Sequence, residues 1–277
     1  MLEASVRAVN AMDFTGKDAL LEALHSDRAA FSQLVGRSEE EWTRETPCEG
    51  WQIRDLVGHM VHNSEDYLER FEGARAGKTF PDPVGLLVMA ELEDKGARRF
   101  RDMPRDELLG RLSSRSDRLF GIFERLDENQ WGSEVVNHAY MGPLPAFFYP
   151  IFQLVDYALH TWDIREGRGI NHGLGGDSAD LLVPLNFIVW SATHTCTPDT
   201  EPFEIGIRVT GRNGGDTKMS CGPEGVAFET GDISGCPATL EFDPATLTLT
   251  AYQRMNGGTS RGDPVLVERF LNLFFKI

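Results

Sequence analysis

Two stretches of this sequence carry side chains whose types and spacing suit metal chemistry. One runs from Thr46 through Trp51 into a segment holding His59; about a hundred residues later, Asp156 is followed four positions on by His160. Residues four apart on a helix lie on one face about one turn apart, so a carboxylate and an imidazole at that spacing can converge on one ion. His59 closes the set from another helix. Two imidazoles and one carboxylate suit Zn, Ni or Fe(II) better than Ca or Mg, with Zn the first expectation. Three protein ligands leave a position for water, a thiol or substrate, and an open position points to chemistry rather than structural support.

The elements that must position these residues read as helices. After a lead-in over residues 1 to 14, Thr15 is expected to cap a helix whose apolar residues Leu20, Leu24, Phe31, Leu34 and Val35 recur at helical spacing, and Gly36 to end it. A second helix is expected from about Ile53 to Phe71, with His59 bordering its apolar stripe and His62 facing solvent. A connection rich in Gly and Pro, Gly73 to Pro83, leads to a third helical region that breaks near Pro104 and runs to about Leu126. The fourth helix is expected to open with Pro150 in its first turn and stop at Gly167. Between Ile151 and Ile164 it is apolar almost all round, with Gln153, Asp156, His160 and Asp163 confined to a strip about 80° wide. Four such helices suggest an antiparallel bundle, where sites form from inward side chains of facing helices.

Composition shifts after about residue 170. A helix from Ser178 to about Thr193 precedes three expected strands, Phe203 to Val209, Gly225 to Glu229 and Ala238 to Phe242, separated by turn clusters such as Asn213-Gly214-Gly215. Pro244 begins a helix to about Arg254 and Pro264 opens a last one. The expected organisation is a helical bundle over 1–170 followed by a small α+β domain over 171–277.

The motifs carry a family resemblance. Thr46-Pro47-Cys48-Glu49-Gly50-Trp51, then Arg54-Asp55-Leu56-Val57-Gly58-His59, resembles the second-helix signature of the mycothiol-dependent maleylpyruvate isomerase family, a branch of the DinB-like metal-binding bundles. Asp156-x-x-x-His160-x-Trp162-Asp163-Ile164 is similar to its fourth-helix signature, with Asp156 where the family usually has Glu. The resemblance implies a DinB-like four-helix bundle with a sterol-carrier-like second domain. It also implies a divalent metal on His59, Asp156 and His160, and a low-molecular-weight thiol, mycothiol in the type case, for isomerisation or S-transfer on a small substrate. Arg254 occupies a place similar to the family's Gly-Arg, where the Arg is thought to hold a substrate carboxylate. Here Gln253 stands for the usual Gly. A thiol-independent metal hydrolase or cyclase, and a non-catalytic carrier of small molecules or lipids, are the competing readings.

Composition narrows the partners. The formal net charge of −16, spread along 277 residues, argues against nucleic acid or an anionic membrane. No apolar segment approaches the roughly 20 residues of a membrane helix. Four cysteines without a C-x-x-C pair fit a reducing compartment, so a cytoplasmic protein acting on a small molecule is expected.

Several residues near the motifs have structural roles that need no substrate. Asp55 suits the first turn of its helix, Arg54 an ion pair, and Trp51 and Trp162 the core. Asp163 could orient a ligating imidazole. Cys48 precedes a helix amino terminus, but the sequence shows no base nearby. His25, His138, His172 and His194 stand alone, and the glycine-rich loops lack the strand-to-helix context of a phosphate cradle.

Overall fold

The structure is a computed structural model that describes residues 8–35, 38–169 and 172–277. The chain divides into two compact units, Ala11–Leu174 and Gly175–Ile277, the latter including the residues leading up to Asn10.

In the first unit, α1 (Lys17–Val35) packs on α6 (Phe148–Glu166), and α2 (Ile53–Arg75) packs on α4 (Arg105–Arg125). The apolar stripes meet as aromatic edges: Phe31 against Tyr157 at 5.6 Å between ring centroids, and Phe71 against Phe123 at 5.9 Å. Helix α6 is buried on nearly every side, which is why its sequence is apolar almost all round. It begins two residues before Pro150. Helix α1 follows a 3-10 turn over Phe14–Gly16 instead of starting at a Thr15 cap; Gly36 lies outside the described residues.

The third helical region resolves into α3 (Met89–Arg98) and α4, and a short α5 (Glu128–Ser133) follows with a hairpin of β1 (Val135–His138) and β2 (Gly142–Pro145). Neither α5 nor the hairpin was expected. Helix α3 lies close to α2 because of Gly58: a Cβ there would sit 2.4 Å from the Ala97 carbonyl oxygen. A glycine at this position admits the backbone of α3, and with it the side chains α3 brings to the site.

The second unit is a five-stranded sheet in the order β5-β4-β3-β6-β7 with helices α7 (Gly176–Thr193), α8 (Pro244–Ala251) and α9 (Pro264–Leu271). Strand β3 (Phe203–Val209) pairs antiparallel with β4 (Gly215–Gly222) and parallel with β6 (Ala238–Phe242), while β5 (Gly225–Thr230) and β7 (Thr259–Gly262) form the edges. Its core gathers around Trp190, whose indole meets Phe228, Phe242, Phe270 and Phe274. Asp243 and Asp263 cap α8 and α9, each followed by Pro in the first turn. Strands β4 and β7 were not expected. β4 carries only Met219 and Cys221 as buried side chains and β7 is exposed throughout, so neither shows an apolar period. Val9 and Asn213 exchange hydrogen bonds, Val9 N donating to Oδ1 and Asn213 Nδ2 to the Val9 carbonyl. No described helix is long and apolar enough to cross a membrane.

Candidate metal centre

Helices α2 and α6 bring His59, Asp156 and His160 together. Each offers one ligating atom within 4.8 Å of the others, and the two imidazole rings stand 5.0 Å apart, edge to face. His59 Nε2 is 3.9 Å from Asp156 Oδ1. The Asn63 amide nitrogen bridges the two, 3.2 Å from His59 Nε2 and 3.0 Å from Asp156 Oδ2.

A carboxylate stands behind each imidazole. Asp163 Oδ2 accepts from His160 Nδ1 at 2.9 Å, and Glu93 Oε2 of α3 lies 3.0 Å from His59 Nδ1, an ion-pair contact out of line for a hydrogen bond. With Nδ1 facing a carboxylate in each ring, Nε2 is the nitrogen that remains for an ion, in His59 by displacing the Asn63 amide contact, and carboxylates behind the rings are typical of ligating histidines. The donor set therefore fits a divalent metal of the Zn class, by ligand type and by orientation.

The charges are strongly coupled. Burial alone would depress the His59 pKa, but its contacts to Asp156 and Glu93 outweigh that and lift it to about 10. Burial holds His160 below the ordinary histidine range against the pull of Asp163. Glu93, which burial would raise, is held below the usual carboxylate range by His59, and it also accepts a 2.8 Å hydrogen bond from the Tyr140 hydroxyl. Burial and the neighbouring Asp156 and Glu93 push Tyr67 well above the usual tyrosine range, so its phenol keeps its proton.

The turn before α2 closes over the site. Thr46 binds the Trp51 carbonyl through its amide and hydroxyl, Gly50 takes φ +72°, and the Gly50 carbonyl accepts from Arg98. Trp51 is thereby placed as a wall rather than as core: its ring lies 5.2 Å from His59 and 6.1 Å from His160, and its indole N–H donates to Asp94 at 2.8 Å. Cys48 also differs from expectation, since its thiol lies 3.1 Å from Asp163 Oδ2. Asp55 is fully buried, caps α2 through the Gln52 amide and holds Arg101 with both oxygens at 2.7 and 2.8 Å. Arg101, not Arg54, supplies that ion pair; Arg54 makes none among the described residues. His62 is half-buried against Gly96, not solvent-facing, and lies outside the converging group. Trp162 is buried, its ring 5.3 Å from His172.

Arg254 belongs to the second unit, just past α8, where its Nη1 donates to the Tyr252 carbonyl. Gln253 before it takes φ +51°, in the left-handed region that favours glycine. That conformation gives a physical reason for a glycine at this place, and Gln253 holds it with a 2.6 Å hydrogen bond from its side chain to the Phe274 carbonyl.

Sequence reasoning missed Glu93 and Asn63. Asn63 had a signal, standing four residues after His59 as His160 stands after Asp156. Glu93 had none beyond its place one turn before the buried Ala97, because its partner is distant in sequence.

The chain is a helical unit that gathers two carboxylate-backed histidines and an aspartate, followed by a sheet-containing unit. Residues 18–165 match the family described as mycothiol maleylpyruvate isomerase N-terminal domain, and the chain belongs to that family. The fold is similar to the crystal structure of the mycothiol-dependent maleylpyruvate isomerase, at 16% identity and TM-score 0.60, covering 89% of this chain and 94% of that one. A histidine-to-alanine variant of that isomerase gives 15% identity and TM-score 0.62 over the same shares. The colibactin self-resistance protein ClbS in complex with double-stranded DNA aligns over 56% of this chain at 17% identity and TM-score 0.46. No curated protein matches the sequence.

Proposed function

We propose that this chain is a metal-dependent enzyme that uses a low-molecular-weight thiol, mycothiol or a relative of it, to isomerise a small substrate or to transfer the thiol onto it. The observation that carries the reading is the convergence of His59, Asp156 and His160 with a carboxylate behind each imidazole. His59, Asp156 and His160 would hold the ion, Zn before Ni or Fe(II). Bound ion and thiol together would supply a nucleophile that is ionised at neutral pH, adds to an activated double bond, permits rotation and leaves.

The chain's own residues prepare that chemistry. Glu93 and Asp163 fix the imidazoles through Nδ1, and the Tyr140 hydroxyl fixes Glu93 in turn. Trp51 lies against one side of both rings, where it would limit the access of water. For Arg254 as the holder of a substrate carboxylate, the support is the family resemblance.

The test measures metal content and activity together. His160→Ala and Asp156→Ala should lose the metal and keep their far-ultraviolet circular dichroism, because apolar packing supplies most of the folding energy. Wild-type protein should turn over a cis-enoyl acid only with thiol present, and Arg254→Lys should weaken turnover, since an ammonium lacks the bidentate fork. Turnover indifferent to thiol would refute the thiol reading, and unfolding of both alanine variants would make the metal structural.

A further inference from the structure

Gln153 is the polar group of this site that the reading above leaves without a task. It lies on α6, fully buried, and neither its amide oxygen nor its amide nitrogen has a hydrogen-bond partner among the described residues. A primary amide can donate twice and accept twice. Burying one unpaired costs free energy that a leucine or methionine in its place would not. An unpaired amide inside a well-packed bundle is therefore a group waiting for a partner from outside the chain.

Its position says what partner. Gln153 precedes Asp156 by three residues and His160 by seven, which puts it within about 60° and 20° of them around the helix and about 4.5 Å along the axis from Asp156. Helices α2 and α6 run antiparallel here: His59 meets His160, Asn63 meets Asp156, and Tyr67 meets Tyr149 with ring centroids 4.9 Å apart. Gln153 thus falls between the Asn63–Asp156 level and the Tyr67–Tyr149 level, one turn along from the proposed ligands. A molecule seated at the metal's open position and extending by a few bonds along α6 comes to that level.

The surrounding charge selects the kind of group. Asp156, Glu93 and Asp163 already bring three carboxylates to the centre, while Arg101, Arg98 and Arg70 are engaged by Asp55, Asp94 and Asp66. With those three guanidiniums already neutralised, a second anion from the ligand would add to the three carboxylates. A neutral group that accepts from the amide N–H and can donate to its oxygen fits both the charge and the hydrogen-bonding capacity.

We propose that Gln153 is a specificity-determining residue that binds a neutral amide or hydroxyl group of the molecule occupying the metal's open position. The inference rests on the metal-site reading, and the group it binds can belong to the thiol or to the substrate.

The test uses the full chain loaded with Co(II), whose visible absorption reports what enters the open position, and two pairs of isosteric probes. One pair is a thiol with a neutral amide, β-mercaptopropionamide, against isopentanethiol. The other is an acid with a neutral amide, succinamate, against isocaproate. Wild-type protein should prefer the amide member of one pair by about tenfold, the size of one buried hydrogen bond. In Gln153→Leu and in the unbranched Gln153→Met that preference should fall to about one, with cobalt content unchanged. Both metal-free variants should also melt higher, by about 2–4 °C or more, because the unpaired amide is gone. A preference in the thiol pair assigns the group to the thiol, and one in the acid pair to the substrate. Spectra that respond to the acids and to neither thiol would defeat the thiol reading while the acid pair still decides the role of Gln153. A preference that survives both substitutions, or is absent in the wild type, overturns the proposal. So does a lowered melting temperature in both variants, which would mean that the amide is paired inside the protein by buried water.

Discussion

Asp163 offers a sharp perturbation, because its carboxylate serves two donors at once. It is fully buried and accepts from His160 Nδ1 at 2.9 Å and from the Cys48 thiol at 3.1 Å. Both donors meet the same oxygen, Oδ2, and Asp163→Asn keeps the shape but can present an amide NH2 in its place. If the amide NH2 faces His160, the imidazole escapes the clash by moving its proton to Nε2, the nitrogen an ion needs bare. Loss of an outer carboxylate behind a ligating histidine weakens metal binding by about 10- to 100-fold, which is roughly 1.4–2.8 kcal/mol. The fold should change far less, since a neutral amide is cheaper to bury than a carboxylate. Chelator competition gives the affinity, and nitrogen-15 chemical shifts of the His160 ring give the tautomer. The reasoning is refuted by an Asp163→Asn protein whose metal affinity lies within twofold of wild type, or whose His160 proton stays on Nδ1 while affinity falls.

Three further outcomes follow from the same geometry. Arg101→Ala strands the fully buried Asp55 carboxylate, so urea denaturation should show a loss of about 3 kcal/mol, and Asp55→Asn combined with it should recover part of that. In the metal-free protein His59 is lifted to about 10 from 6.5. The stability it contributes is therefore full below pH 6.5 and is lost as pH rises through about 10. Metal must displace that proton, so affinity should rise with pH across the same window; a His59→Gln protein with the same metal-free stability profile would contradict the assignment. Gly58→Ala places a Cβ 2.4 Å from the Ala97 carbonyl. Forcing α3 away should cost about 1–3 kcal/mol by thermal denaturation and weaken metal binding through Glu93.

Features written into local spacing were legible, and those made by distant contacts were not. His59, Asp156 and His160 could be named because an i,i+4 pair and a histidine beside an apolar stripe are helix-periodic signals, and because the stretches around them resemble a family's signatures. The nearly uniform hydrophobicity of α6 likewise announced a central helix, and Gln153 stood out as a polar residue on its narrow strip. Glu93 was invisible because its place beside His59 depends on α3 docking at Gly58, a contact between segments with no shared pattern. Trp51 and Cys48 were read as core and as a thiol without a base for the same reason: both depend on how the Thr46–Trp51 turn folds over α6. The short hairpin of β1 and β2 and the exposed β7 carry no alternation of apolar and polar residues, so neither signals a strand. His62 points toward α3 and not toward solvent, which a period measured on one helix alone cannot reveal.

The measurement closest to the central claim is X-ray absorption on zinc-loaded protein before and after addition of mycothiol. The account predicts a first shell of nitrogen and oxygen at about 2.0–2.2 Å with the multiple-scattering pattern of two imidazoles, and a new sulfur at about 2.3 Å once the thiol is present. An imidazole count that stays at two in His59→Ala or His160→Ala, or a first shell that gains no sulfur with saturating thiol, would contradict it.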